Sequence, residues 1–233
     1  MLQSRRRPDI RLELDGCASL SPRLAAEVNG LCDRLDEAGP DAIAMIHVVG
    51  SHDSARRPGW PGELGALDVH LVTQWERALR RLERLAGATI GVADGNCGGI
   101  ALEVLMTTDY RLAGTDLRIA LRAPGGAVWP GMAVYRLANQ IGAARARPYA
   151  LFGAEMAAAQ AAELGLIDEV ADDIAIAIDA FMGSLGAAGG AQLAIRRRLL
   201  LEATATSFED ALGAHLAACD RMMRSAQRLK SAS

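Results

Sequence analysis

Residues 89–106 constrain the fold most, because they join a short buried strand to a helix through a run of small residues. Residues 89–93 are apolar and of strand length, residues 94–99 include three glycines, and residues 100–106 have a helical pattern. A turn of this kind leaves unpaired backbone N–H groups at the start of the helix. The segment predicts either a position for an anion or developing oxyanion, or a tight turn that needs glycine only for packing. It has neither the Lys-Ser/Thr of a Walker loop nor the G-x-G-x-x-G spacing of a dinucleotide fold.

Strand and helix patterns alternate around this segment. Further strands are predicted at 9–14, 42–49, 110–113 and 117–121, and further helices at 22–38, 66–85 and 132–164. Beyond Asp173 the chain is alanine-rich and helical, with a break at 186–190. The pattern predicts an α/β core over residues 1–172 and a helical region over 173–233. Because that region is too small to bury itself, we expect it to pack on a neighbouring subunit.

Composition restricts the partners. Hydrophobic residues make up 51% of the 233 residues, which excludes disorder, and a net charge of −3 provides no basic field for nucleic acid. The four cysteines have no zinc-site or disulfide spacing, and no apolar run reaches about 18 residues. No signal-peptide pattern is present in residues 1–11. We therefore expect a cytoplasmic protein without a metal site or membrane contact, whose partner is a small molecule or another protein.

Two loops are long and rich in glycine and proline. Residues 50–65 and 123–131 show neither a helix nor a strand period. Long irregular loops inside a compact domain are usually functional. Both loops are therefore candidates for the walls of a site.

Glu103 is the leading candidate for acid/base chemistry. It follows Gly99 by four residues and stands among apolar neighbours at 101–105. An unpaired carboxyl group in such surroundings has a raised pKa, as a general acid or base near neutral pH requires. The alternative is a structural glutamate paired with an arginine such as Arg111.

Cys97 offers a competing interpretation. Gly95, Cys97 and Gly99 satisfy G-x-C-x-G, the cysteine form of a hydrolase nucleophile elbow. The base would have to be the downstream His215, which lies in a helical pattern rather than on a loop. Cys97 is therefore expected to be a small buried residue, with a cysteine hydrolase as the alternative.

Three motifs in order resemble those of the crotonase (enoyl-CoA hydratase/isomerase) superfamily, over most of residues 9–220. They are the strand, glycine turn and glutamate helix of 89–103, the Trp-Pro-Gly loop of 129–131, and the segment 152–170, which is similar to the family pattern G-x-x-x-x-A-x-x-A-x-x-x-G-L-V. The resemblance implies a spiral of β-β-α turns and C-terminal helices that form trimers or a dimer of trimers. It also implies a coenzyme A thioester as substrate, with no separate cofactor.

The resemblance assigns roles to particular residues. Two backbone N–H groups hold the thioester carbonyl in this family; by position Ile100 supplies one, and Gly62 or Glu63 supplies the other. Glu103 is the catalytic acid/base. The remaining residues that the resemblance places against the substrate are Trp60, Gly99, Trp129, Pro130 and Gly131.

The chain departs from hydratases at their second catalytic glutamate, where the count from the Pro-Gly loop falls on Ala123 with no carboxylate nearby. Hydration by two carboxylates is therefore not predicted, although Glu63 is a candidate for a second one. Residues 60–63, 74–78 and 129–132 most resemble the enoyl-CoA hydratase-like component of 3,5-dihydroxyphenylglycine biosynthesis. That resemblance implies help with dehydration and aromatisation of a polyketide-type acyl-CoA to 3,5-dihydroxyphenylacetyl-CoA. The alternative is a non-catalytic subunit that binds a type III polyketide synthase or a second crotonase.

Overall fold

A computed structural model describes residues 10–52, 68–122, 128–185 and 190–231. Within these ranges the strands are β1 (Ile10–Asp15), β2 (Ile43–Val49), β3 (Ala88–Asp94), β4 (Asn96–Gly98), β5 (Tyr110–Gly114), β6 (Arg118–Ala120), β7 (Met156–Ala157) and β8 (Glu169–Ala171). The helices are α1 (Pro22–Ala38), α2 (Val69–Leu82), α3 (Gly99–Leu105), α4 (Met132–Ile141), α5 (Ala143–Phe152), α6 (Ala158–Glu163), α7 (Ile174–Leu185), α8 (Ala191–Ala203) and α9 (Phe208–Ser231).

The strands form two sheets. The larger sheet is parallel, in the order β1-β2-β3-β5-β8, and the smaller one has the order β4-β6-β7. The chain passes from β3 to β4 and then into α3, and it repeats this path through β5, β6 and α4. The predicted α/β class and its β-β-α turns are therefore confirmed.

The first two helices begin where side chains cap them. Ser21 Oγ accepts a hydrogen bond from the Leu24 N–H at 3.2 Å, and a proline occupies the first turn of α1. Asp68 caps α2 in the same way through the His70 N–H at 3.0 Å. The apolar faces of the two helices pack together, and α2 buries Trp75 completely. This packing fixes α2 as one wall of the cavity described below.

The structure differs from the predicted elements in several places. The helix predicted over 66–85 is α2, shorter at its end, while residues 66 and 67 lie outside the described part of the chain. The helical pattern over 132–164 is divided into α4, α5 and α6, with β7 between the last two. Gly142 and Gly153 end α4 and α5 at positive φ, of 83° and 61°. Strands β4, β7 and β8 were not predicted, since two or three residues show no period; β4 lies within the segment predicted to be a glycine turn.

The chain beyond β8 is helical where it is described. Helix α7 covers β5, with the rings of Phe181 and Tyr110 stacked at a centroid distance of 3.8 Å. Helices α8 and α9 pack on each other. The boundary at 172/173 and the oligomerising role of this region stay predictions. No helix in the described ranges combines the length and the apolar character needed to cross a bilayer.

Candidate active site

A cavity of about 550 Å³ lies between α2, α3 and the segment before α4. Its walls are mostly apolar, and several charged side chains of α2 and α3 reach it. The lining residues are Leu20, Val72, Thr73, Trp75, Glu76, Arg77, Arg80, Ile100, Glu103, Trp129, Pro130, Gly131 and Met132. The structure thus brings together five predicted site residues, namely Ile100, Glu103, Trp129, Pro130 and Gly131.

The other predicted site residues are placed as follows. Gly99 is buried as the first residue of α3, with φ of 51°, a conformation that favours glycine. Trp60, Gly62 and Glu63 lie outside the described residues. The donor predicted from that loop therefore stays a prediction.

Glu103 is held by two donors from different elements. Its Oε2 accepts a hydrogen bond from the Trp75 Nε1–H at 2.7 Å, and its Oε1 accepts one from the Ala133 backbone N–H at 3.2 Å. The residue is 2% exposed. Burial raises the pKa of Glu103 to about 7, against the opposing effect of the two donors, which favour the ionised form. The carboxyl group is therefore set to exchange a proton near neutral pH.

The backbone at Gly131 comes close to this carboxylate. A β-carbon at position 131 would lie 2.6 Å from Glu103 Oε1 and 2.5 Å from the ring of Trp129. Neither contact can be accommodated without a shift of the side chains. Glycine at this position therefore lets the Trp-Pro-Gly segment close the cavity next to Glu103.

The alternative pairing of Glu103 with Arg111 is wrong. Arg111 Nη1 donates instead to Gln140 Oε1 and to the Leu166 carbonyl, both at 2.8 Å. The partners of Glu103 are the neutral donors described above. Within the described ranges Glu103 therefore forms hydrogen bonds with these donors and no ion pair.

The cysteine hydrolase is also wrong. Cys97 lies in β4 with no exposed surface, and burial raises the pKa of its thiol to about 12. His215 is exposed on the surface of α9. A buried thiol with so high a pKa provides no thiolate nucleophile at neutral pH.

Sequence reasoning missed a charged cluster beside the cavity. Arg136 of α4 binds Glu83 Oε1 through Nε at 2.9 Å and Glu76 Oε2 through Nη2 at 3.0 Å. Arg80 binds the other oxygen of Glu83 at 2.9 Å. The spacing of Glu76 and Arg80 on α2 and of Glu83 at its C-terminal end was the available signal, but it does not reveal a partner 53–60 residues downstream.

Comparison with known proteins identifies the family. Residues 66–230 match the model of the enoyl-CoA hydratase/isomerase family. A protein of Amycolatopsis orientalis described as an enoyl-CoA hydratase is 44% identical over 219 residues, which cover 93% of this chain and 96% of the relative. The chain therefore belongs to the enoyl-CoA hydratase/isomerase family.

Solved structures share the fold at low sequence identity. An enoyl-CoA hydratase/isomerase from Marinobacter aquaeolei has a TM-score of 0.75 and 15% identity, covering 95% of this chain and 90% of its own. An enoyl-CoA hydratase from Thermoplasma volcanium has a TM-score of 0.74 and 19% identity, covering 97% and 93%. A Thermobifida fusca protein solved in complex with acetoacetyl-CoA has a TM-score of 0.68 and 18% identity, covering 90% and 87%. These likenesses confirm the crotonase fold.

Proposed function

We propose that the protein processes a coenzyme A thioester, assisting the dehydration and aromatisation of a polyketide-type acyl-CoA to 3,5-dihydroxyphenylacetyl-CoA. The observation that carries the proposal is Glu103, a buried carboxyl group with a pKa of about 7 on the wall of an apolar cavity. Membership of the enoyl-CoA hydratase/isomerase family and the 44% identical relative support the thioester class. The resemblance of residues 60–63, 74–78 and 129–132 supports the aromatic product.

Two backbone N–H groups polarise the thioester carbonyl in this proposal. Ile100, at the start of α3 and on the cavity wall, supplies one, and Gly62 or Glu63 supplies the other. Each donor lowers the barrier to enolate formation by roughly 2.7–4 kcal/mol. Trp129, Pro130 and their neighbours form a mostly apolar wall beside the acyl group.

Glu103 moves the proton. In its neutral form it protonates the departing β-hydroxyl group, which leaves as water. The same carboxylate can first take the α-proton, since one group suffices when loss of water yields a conjugated or aromatic product. Dehydration through Glu103 therefore does not need the second glutamate of the hydratases.

The substitution Glu103→Gln tests this role. It keeps the shape of the side chain and removes its acid/base function, so we expect the rate of product formation to fall by about 10²–10⁴. The assay follows conversion of malonyl-CoA to 3,5-dihydroxyphenylacetyl-CoA by an excess of a type III polyketide synthase, with and without this protein. Glu27→Gln, at an exposed ion pair with Arg23, is the matched control and should leave the rate unchanged.

A binding measurement distinguishes a loss of catalysis from a loss of acyl-CoA affinity. Calorimetry should show that wild type and Glu103→Gln bind acetoacetyl-CoA with similar affinity. Wild-type protein that binds no acyl-CoA at millimolar concentration would contradict the proposed substrate class.

The second candidate function is a non-catalytic subunit of a polyketide synthase or of a second crotonase. Alanine at position 123, where hydratases carry their second glutamate, favours it; this residue lies outside the described part of the chain. A Glu103→Gln protein that raises product yield as well as wild type does, and that is retained by the synthase in a pull-down, would replace the catalytic proposal with this one.

A further inference from the structure

Glu76 is a second carboxylate on the wall of the same cavity. It follows the buried Trp75 on α2, whereas Glu103 reaches the cavity from α3. The side chain of Glu76 is 24% exposed, so that water and a bound molecule can reach it. The cavity therefore holds two carboxyl groups on different elements, although the position predicted from hydratases carries none.

Arg136 fixes one oxygen of Glu76 and leaves the other available. Its Nη2 binds Glu76 Oε2 at 3.0 Å, and its own side chain is only 7% exposed. Among the described residues, Arg136 is the one hydrogen-bond partner of Glu76. The ion pair with Arg136 holds the side chain of Glu76 in one orientation, and no described residue binds its Oε1.

The two carboxyl groups have opposite environments. Glu103 is buried and bound by neutral donors, while Glu76 is partly exposed and bound by a cation. The negative charge of Glu76 adds to the effect of burial that raises the pKa of Glu103. Glu103, held by neutral donors, is thus placed to give a proton, and Glu76, open to the cavity beside Arg136, is placed to take one.

We infer that Glu76 is a catalytic base that takes the α-proton of the acyl group, while neutral Glu103 gives a proton to the departing β-hydroxyl group. This inference rests on the proposed dehydration and assigns its first step, removal of the α-proton, to Glu76 in place of Glu103. The α C–H electron pair becomes the new Cα–Cβ double bond, the Cβ–O bond breaks, and the hydroxyl group leaves as water with the proton of Glu103. Glu76 is then protonated and Glu103 ionised. Transfer of one proton through the released water restores both groups.

The variant Glu76→Gln tests the inference in the synthase-coupled assay. We expect its rate to fall by about 10²–10⁴, with acetoacetyl-CoA affinity within threefold of wild type. A rate within threefold of wild type would overturn the inference and leave the proposed function intact if Glu103→Gln is still impaired. If wild-type protein fails to raise product formation at all, the proposed function itself fails.

A matched variant distinguishes a role of Glu76 as the base from a role in holding Arg136 through their ion pair. Glu83→Gln removes the other partner of Arg136, but Glu83 is not part of the cavity wall. We expect a lower melting temperature for Glu83→Gln and a rate within threefold of wild type. A loss as large as that of Glu76→Gln would show that Glu76 acts only by positioning Arg136, which overturns the inference.

If Glu76→Gln does not fold, Glu76→Asp tests whether Glu76 is the base. Aspartate keeps the charge beside Arg136 but withdraws the carboxylate from the cavity by one methylene group. We expect a fall of about tenfold or more in rate, with the acetoacetyl-CoA affinity retained, since general-base catalysis requires hydrogen-bond reach. A rate equal to that of wild type would overturn the inference.

Discussion

Ionisation of the buried Glu103 carboxyl group lowers the stability of the folded protein. The two donors from Trp75 and Ala133 stabilise the carboxylate, but burial has the larger effect and raises the pKa from an ordinary 4.5 to about 7. Folding therefore strengthens the binding of this proton. The same property that suits the group to proton transfer costs folding free energy at neutral and alkaline pH.

The sign of this cost gives a stability prediction. Between pH 4.5 and 7 the folded state binds more protons at Glu103 than the unfolded state does, so the free energy of unfolding decreases as pH rises. We expect Glu103→Gln, which does not titrate, to gain about 2–3 kcal/mol relative to wild type between pH 5 and pH 8. Urea unfolding of both proteins at the two pH values measures the difference. A pH-independent difference would show that folding leaves the proton affinity of Glu103 unchanged.

The sequence revealed Glu103 but not Glu76, for a physical reason. Glu103 stands in a wholly apolar helix after a glycine turn, so its local surroundings already indicate burial without a partner. Glu76 lies on a helix with a charged face, where most such residues are solvated. Only the packing of α4 beside α2 places Arg136 against Glu76, and no local pattern specifies that contact.

At the scale of elements, one arginine attaches α8 to the core. Arg197 donates to both carboxylate oxygens of Asp109, at 2.5 Å each, to the Gly87 carbonyl at 2.8 Å, and to the Leu85 carbonyl. Asp109 also accepts hydrogen bonds from the N–H and hydroxyl groups of Thr89. This network joins the C-terminal helices to the start of β3 and to the turn before β5.

Removing this arginine should cost several kcal/mol. Arg197→Met leaves the carboxylate of Asp109 without its cation in a largely buried position, so we expect unfolding free energy to fall by about 3–5 kcal/mol. Arg198→Met is the matched control, because Arg198 is 74% exposed and its ion pair with Glu202 lies on the surface of α8; its cost should stay below about 1 kcal/mol. Equal effects of the two substitutions in denaturant unfolding would contradict a special role for Arg197.

Helical elements of this region followed from the sequence, but their attachment did not. Of the break predicted at 186–190, the structure describes Gly190 alone, which precedes α8 with φ of 75°, a conformation that favours glycine; residues 186–189 lie outside the described residues. Arginines at 196, 197 and 198 are identical in type, and helix geometry sends each to a different face. Which of these arginines binds Asp109 depends on how α8 packs against the core, and the local sequence pattern does not specify that packing.

At the scale of the whole molecule, α9 carries an exposed apolar stripe. Phe208, Leu212, Leu216 and Met223 recur at spacings of four and seven residues and are all largely exposed, while Ala218 is buried. Leu200 and Leu201 of α8 add to the exposed apolar surface. A contiguous surface of this kind is typical of a contact with another subunit. The sequence predicted an oligomer from the family resemblance and from the small size of this helical region, and the exposed stripe is a candidate for its contact surface.

We expect the protein to be an oligomer, most simply a trimer, that associates through this stripe. Light scattering at micromolar concentration should give a multiple of the 24.6 kDa chain mass. The double substitution Leu212→Asp and Leu216→Asp should reduce the mass toward that of one chain, because two carboxylates on each α9 would have to be buried unpaired. Ala217→Asp, which adds a charge to an exposed position of the same helix away from the stripe, should leave the mass unchanged. A wild-type mass near 25 kDa would contradict the oligomer. Dissociation by Ala217→Asp, without an effect of the double substitution, would show that the subunit contact lies on another face of α9.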